Sequence, residues 1–249
     1  MYRIEEKTMP RADAIAARPK AFPVITHAKV DADGLSRLLL AYTSRSIEAG
    51  KIFHHEAGET FLHEGESATH FFTVAEGTVK LFKMLFDNRR AVIGFLFPGD
   101  LCGFSDAVKY NFNAKALTPV RLCSFPRSEL KRMYLDYPGL ESQLLELVTR
   151  ELAATQDQMM LLGRMTAPER VASFLLMLAR RQSWPGDWIE LAMSRADIAD
   201  YLGLSTETVS RVLTALKASG CVVLAPNKVR IADADALTQL AEGVGSDDD

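Results

Sequence analysis

Residues 194–220 read SRADIADYLGLSTETVSRVLTALKASG, and the spacing of their side chains decides how this part of the chain folds. Ser194 followed by Asp197 at N3 is a helix cap, Gly203 is a stop, and Ser205 caps a second helix running to about Ala218 before Gly220. In that second helix Val209, Val212, Leu213 and Leu216 fall at i, i+3, i+4 and i+7, one apolar stripe for a core. Glu207, Ser210 and Arg211 also fall at i, i+3 and i+4, so they form a second face near the helix start. Two helices about a glycine turn, within about 25 residues, have the layout of a helix-turn-helix, whose second helix enters the major groove.

The three polar side chains suit base edges. Arg donates twice to guanine O6 and N7, Glu accepts from cytosine N4, and Ser can touch either kind of edge; a good bidentate pair discriminates by about 1–3 kcal/mol. A carboxylate on a face turned to phosphates makes sense mainly where it meets an amino group. Taken alone, Glu207 and Arg211 are an i, i+4 surface ion pair worth a few tenths of a kcal/mol. Together with the turn, the stripe, a following hairpin and a basic flank they read as a DNA-reading face. Ser194, Arg195, Ser205, Thr206, Thr208, Lys217, Lys228 and Arg230 would then touch the DNA backbone, giving affinity and salt dependence without sequence choice.

CVVL and VRI joined by APNK form a short hairpin wing, and Thr166-Ala-Pro-Glu169 is a capping box opening the helix VASFLLMLARR. Before it, residues 140–165 read as one long helix. Leu145, Val148, Leu152, Thr155, Met159 and Leu162 step by 3, 4, 3, 4, 3, the a/d seam of a coiled coil, and predict a two-helix homodimer contact. Leu144 and Leu147 would face the chain's own N-terminal domain instead.

Between about Gly50 and Arg127, GETFLHEG, HFFTVAEG, TVKLFKML, AVIGFLFPGD and VRLCSFP are β-branched or aromatic runs broken by Gly or Pro, with a turn at Asp87 and Asn88. They predict a small antiparallel barrel or jelly roll. The expected organisation is an α+β chain: an N-terminal extension (1–25), a double-stranded β-roll (26–138), a dimerisation helix (139–165), a winged helix-turn-helix (166–235) and an acidic C-terminal tail (236–249).

The chain has 249 residues and a net charge of −3, unevenly distributed. From Ala232 onward there are six acids and no base, whereas residues 164–231 hold nine bases and six acids, a local +3 that contains the candidate reading face. There is no apolar run of signal-peptide or membrane-spanning length, so a cytoplasmic protein without membrane association is expected. Cys102, Cys123 and Cys221 are odd in number and far apart, which leaves no disulfide framework or CxxC site among neighbours.

An enzyme is the main rival class. Jelly-roll metal enzymes use His clusters on strands, and His54, His55, Glu59, His63 and His70 invite the comparison. Adjacent His54 and His55 would point to opposite faces of a strand and no HxH pair exists, so neither a metal site nor catalysis is expected.

The stretch MSRADIADYLGLSTETVSRVLTALKASG, with ETVSR at its heart, resembles the signature of the CRP/FNR superfamily of bacterial transcription regulators, and the likeness spans nearly the whole chain. ETVSR is similar to the ExxSR pattern of the FNR and FixK branch. The resemblance implies a cyclic-nucleotide-binding-type roll, a dimer helix and a winged helix-turn-helix acting on palindromes of TTGA-type half-sites. It also implies Arg211 on the guanine, Glu207 on its paired cytosine, activation by contact with RNA polymerase, and a link to oxygen limitation. Departures narrow the branch. Where cyclic-AMP-binding members hold a ribose-binding glutamate and an Arg-Ser pair, this chain has Gly103, Phe104, Ser105 and Asp106, with no arginine until Arg121. A buried phosphate without a cation is unfavourable. Cys123 resembles the fourth cluster ligand of the iron–sulfur members, but no cysteine precedes Cys102, and one thiolate cannot hold a cluster that needs about four. The expectation is a FixK-like regulator with no cofactor; haem- or ligand-sensing relatives are the alternative.

Overall fold

Runs such as HFFTVAE and VRLCSFP are too continuously apolar for a strand with one wet face, and the strands they form are covered on both sides. The computed structural model describes residues 51–104, 108–182 and 188–243, and of Arg150 only the backbone. The extension expected at 1–25, together with Ser105, Asp106 and most of the SWPGDW loop, lies outside the described residues.

Eight strands build the roll: β1 (Lys51–His55), β2 (Thr60–Leu62), β3 (His70–Glu76), β4 (Val79–Met84), β5 (Arg90–Leu96), β6 (Leu101–Cys102), β7 (Asn113–Ala116) and β8 (Val120–Pro126). They form two antiparallel sheets, ordered β1-β8-β3-β6 and β2-β7-β4-β5. The inner faces close on Leu62, Val74, Val79, Cys102, Tyr110, Ala114, Ala116 and Leu122. β7 is not among the strands the sequence predicts, because NAKA has no β-branched residue. Ala114 and Ala116 lie opposite Leu62 and Val79 in the neighbouring strands, and their small, fully buried side chains leave room for those larger partners.

Each outer face has its own cover. On the first sheet Phe71, Cys123 and Phe125 pack against α1 (Leu130–Asp136) and the start of α2 (Leu140–Arg164), where Met133, Leu140, Leu144 and Leu147 are buried. Leu144 and Leu147 thus meet the roll. On the second sheet Val92 and Phe95, with Phe97 just past the end of β5, join the core of the C-terminal helical unit. The roll is therefore a middle layer, with α2 on one side and the C-terminal unit on the other.

That unit starts at α3 (Ala167–Arg181), where Thr166 N donates to Glu169 Oε2 at 2.9 Å in the capping box. It continues through β9 (Ile189–Glu190), α4 (Arg195–Leu202), α5 (Thr206–Ala218), β10 (Val222–Ala225), β11 (Lys228–Ile231) and α6 (Ala234–Ala241). The hairpin wing gains a third strand, in the order β10-β11-β9. Residues 236–249, expected as an acidic tail, begin inside a helix: Asp233 caps α6, and Leu237 and Ala241 are buried against the core shared with α3. The last six residues lie outside the described ones.

Candidate nucleic-acid interface

Local chemistry shapes both helices of the pair. Ser194 Oγ accepts from Asp197 N at 3.1 Å, and Asp197 Oδ2 accepts from Ser194 N at 3.1 Å and from Ser194 Oγ at 2.8 Å. This reciprocal cap satisfies donors that the first turn of α4 would leave orphaned. Gly203 then takes a left-handed φ of 62°, Leu204 N reaches back to Ala199 O at 3.0 Å, and the chain turns into α5. Ser205 Oγ accepts from Thr208 N at 3.1 Å, capping that helix.

α5 is anchored by Val209, Leu213 and Leu216, all buried, with Val212 packed at the edge of the same core. Glu207, Ser210 and Arg211 are exposed on the adjoining face. The Glu207 carboxyl is held below its usual value, first by its own backbone N–H and then by the Ser205 hydroxyl, so it is an anion at neutral pH. Ser210 Oγ donates to Thr206 O at 2.8 Å, which uses its one proton and leaves the exposed hydroxyl able to accept. Among the described residues Glu207 and Arg211 form no ion pair with each other, and both charges stand open to solvent.

The flanking groups divide. Ser194, Ser205, Thr206 and Lys217 are exposed, while Thr208 is half-buried. Lys217 shares a row with Ser210 and with Thr214, an exposed residue that the sequence pattern did not single out. Arg195 is half-buried; desolvation lowers its pKa, and its Nη1 has no hydrogen-bond partner among the described residues. Lys228 Nζ lies 3.0 Å from Glu190, and the Arg230 guanidinium sits 5.8 Å from the Trp188 ring centroid, so both wing cations already have intramolecular neighbours. The six seam positions of α2, Leu145, Val148, Leu152, Thr155, Met159 and Leu162, are all exposed, on a face that adjoins the one burying Leu140, Leu144 and Leu147.

Two family models match this architecture: the Cyclic nucleotide-binding domain over residues 52–137 and the Crp-like helix-turn-helix domain over residues 169–240. The nitrogen fixation regulation protein FixK of Bradyrhizobium diazoefficiens is 39% identical over 197 residues, covering 77% of this chain and 82% of that protein. The chain belongs to the CRP/FNR superfamily, on its FixK-like branch. This CRP/FNR member is also 39% identical over 187 residues to the transcriptional activatory protein AadR of Rhodopseudomonas palustris, covering 74% and 78% of the two chains. The structure of FixK2 from Bradyrhizobium japonicum superposes with a TM-score of 0.72 at 33% identity, over 77% of this chain and 96% of that one. The protein is therefore a CRP/FNR-type transcription regulator with a DNA-binding helix-turn-helix. Its relatives are regulators by name, and none of those just described is named as an enzyme.

The family's sensing features can be placed individually. Arg121 lies on the outward side of β8, paired with Glu76, while its neighbours Val120 and Leu122 face the interior. Phe104 packs edge-on against Phe71, with centroids 5.5 Å apart. Burial pushes the Cys102 thiol up to about 12, and Cys123 is buried between β8 and α2. Cys221 is half-buried and accepts from Ser219 Oγ at 3.3 Å. Of the histidines that invite comparison with a metal cluster, His55 pairs locally with Glu59 at 2.7 Å and His63 with Glu66 at 3.2 Å, while His70 Nδ1 lies 2.9 Å from Thr69 Oγ1. Among the described residues no helix is long and apolar enough to cross a membrane.

The residues that hold the helix-turn-helix in place carry no local signal in the sequence. Arg170, at the start of α3, donates to Met165 O, Leu202 O and Leu162 O at 2.9, 2.9 and 3.0 Å, tying the end of α2 to the end of α4. Lys80 and Arg90, on β4 and β5, reach Asp197 and Asp200 of α4. Asp197 is legible in the sequence only as a cap; its second oxygen has no local signature.

Proposed function

We propose that the protein acts as a homodimeric activator on palindromes of TTGA-type half-sites, with Arg211 on the guanine, Glu207 on its paired cytosine and Ser210 beside them. The observation that carries this reading is the exposed trio on α5, its two charges open to solvent, held next to a stripe whose Val209, Leu213 and Leu216 are buried. Buried anchoring gives the face a rigid scaffold, and open charges remain free for base edges. Ser194, Ser205, Thr206, Thr208 and Lys217 serve as backbone contacts around it. Arg195 joins them from the start of α4 once its half-buried guanidinium turns outward, and Lys228 and Arg230 contribute from the wing by sharing or exchanging Glu190 and Trp188.

A two-fold site requires a two-fold protein. The exposed apolar seam from Leu145 to Leu162 supplies the self-contact, running about 26 Å along α2 at 1.5 Å per residue. Contact with RNA polymerase for activation and a place in oxygen-limitation control follow from the FixK-like branch, and the working compartment is the cytoplasm.

The deciding experiment is a titration of wild type and Arg211→Ala against a TTGA palindrome and against one with the guanine step replaced. The variant should lose about 1–3 kcal/mol per contact and discriminate poorly at that base pair alone. Unchanged affinity and preference would remove α5 from base reading.

A further inference from the structure

We propose that Lys80 and Arg90 of the roll are positioning residues for DNA recognition: they set the angle at which α4, and through it α5, is presented to the second half-site. The inference rests on the reading of α5 as a homodimer's base-contacting helix.

One carboxylate lies at the centre of the contact. Asp197 Oδ2 is used up by the cap on Ser194, and Asp197 Oδ1 receives Lys80 Nζ at 2.6 Å and Arg90 Nη2 at 2.9 Å. Arg90 Nε and Nη2 also donate to Asp200 Oδ2 at 2.9 and 2.6 Å, one turn further along α4. The Lys80 and Asp197 side chains are 4% and 7% exposed, so this is an ion pair sealed between two folding units.

Around it lies an apolar contact. Phe95 of β5 meets Phe174 of α3 and Tyr201 of α4, with ring centroids 6.1 and 5.3 Å apart. Apolar burial supplies adhesion but has little directional demand. A buried ion pair is the reverse: set against an apolar pair of the same shape it adds little net stability, yet it tolerates few arrangements. Lysine on the outer face of a roll strand is therefore poorly explained by adhesion and well explained by register.

Geometry gives that register a task. α4 is fixed along its first two turns to the roll through Asp197 and Asp200, and at its last residue to α2 through Arg170, which holds both Leu202 O and Leu162 O. Gln158 of α2 adds a bond to Tyr201 O at 3.2 Å. α5 follows α4 rigidly through the Gly203 turn. With the two copies joined along α2, the separation of their α5 helices is set by how each α4 lies against its roll. A displacement of about 3.4 Å is one base-pair step, enough to take the second α5 out of phase with its half-site.

The test uses the full chain. Wild type, Lys80→Met with Arg90→Gln, and Arg211→Ala are titrated by fluorescence anisotropy against a single half-site duplex and against palindromes whose spacer is native, one base pair shorter or one longer. The Lys80→Met/Arg90→Gln protein should bind the single half-site within about twofold of wild type, lose about tenfold or more on the native spacing, and show a flattened spacer preference. An unchanged spacer preference overturns the proposal. So does an equal loss on half-site and palindrome, since the pairs would then merely support the fold of the reading unit. Asp200→Asn, a milder and more exposed change, should flatten the preference in the same direction, and keeps the idea falsifiable should the double variant fail to fold. Failure of the underlying reading looks different: Arg211→Ala would match wild type on every duplex.

Discussion

Arg170 Nη1 donates to the carbonyl oxygen of Leu202 across 2.9 Å, while the rest of the same guanidinium holds Leu162 O and Met165 O. Carbonyls at helix ends have no partner within their own helix. One planar cation therefore closes two helix ends and joins them. Arg170→Ala should cost about 2–4 kcal/mol in urea unfolding, as three charge-assisted bonds go at once. Arg170→Lys should recover only a minor share, because an ammonium cannot reproduce the fork.

The seam gives a second expectation. Leu152 and Met159 are 59% and 71% exposed in the single chain, so charges there need not disturb its folding. Leu152→Glu with Met159→Glu should retain the circular dichroism of the wild type, sediment as a monomer and lose specific binding to the palindrome. A double variant that stays dimeric and tight on DNA would eliminate this face as the self-contact.

Lys217 lies on the row of Ser210 and Thr214, at the far end of α5 from Glu207. In its proposed role as a phosphate contact it would read no base. Lys217→Ala should weaken binding by a similar factor on every sequence and reduce the slope of log affinity against log salt by about 0.9 for each phosphate that the lysine neutralises. A change in base preference instead would move Lys217 into the reading group.

Asp197 makes stability depend on pH in a defined sense. Burial pushes its carboxyl up, but the bonds from Lys80 and Ser194 outweigh that and hold it below the usual value. A depressed carboxylate contributes stability above the unfolded-state pKa, about 3.9, and loses it as pH falls toward the folded value. The stability gap between wild type and Asp197→Asn should therefore be widest above about pH 5 and narrow below about pH 3.9. Paired urea titrations across that range measure it; a gap that widens on acidification would contradict the assignment.

Gly77 offers a test of the roll itself. Its φ is +87°, and an added Cβ would lie 2.3 Å from Pro119 O, backbone that has no flexible end to swing away. Gly77→Ala should destabilise the roll by more than about 1 kcal/mol, read as a lowered melting temperature.

How far the chain can be read in advance follows from where each signal is written. The α5 stripe and the α2 seam are local periodicities with caps at their ends, and such patterns are visible without knowing the tertiary fold. α6 is hidden because Asp233, Asp235 and Glu242 dominate its composition, while its buried contribution is Leu237 and Ala241, too short a stripe to outweigh the charges. β9 is two residues long and exists only because β11 pairs with it. Lys80 is unreadable for a stronger reason: on a strand it has the look of a solvent-facing residue, and only the docking of α4 seals it. A hint is present in AVIGFL, too apolar for a sheet with one wet face, and the structure shows Phe95 turned toward the helical unit.

Asp197 finally bears on modularity. Its two oxygens answer to two owners, one to the cap of its own helix and one to cations supplied by a distant part of the chain. Transplanting the reading unit onto a foreign roll would strand that acid beneath a surface with nothing to receive it. Chimeras in this family should then be cut so that the donor's β4 and β5 travel with the helices they serve.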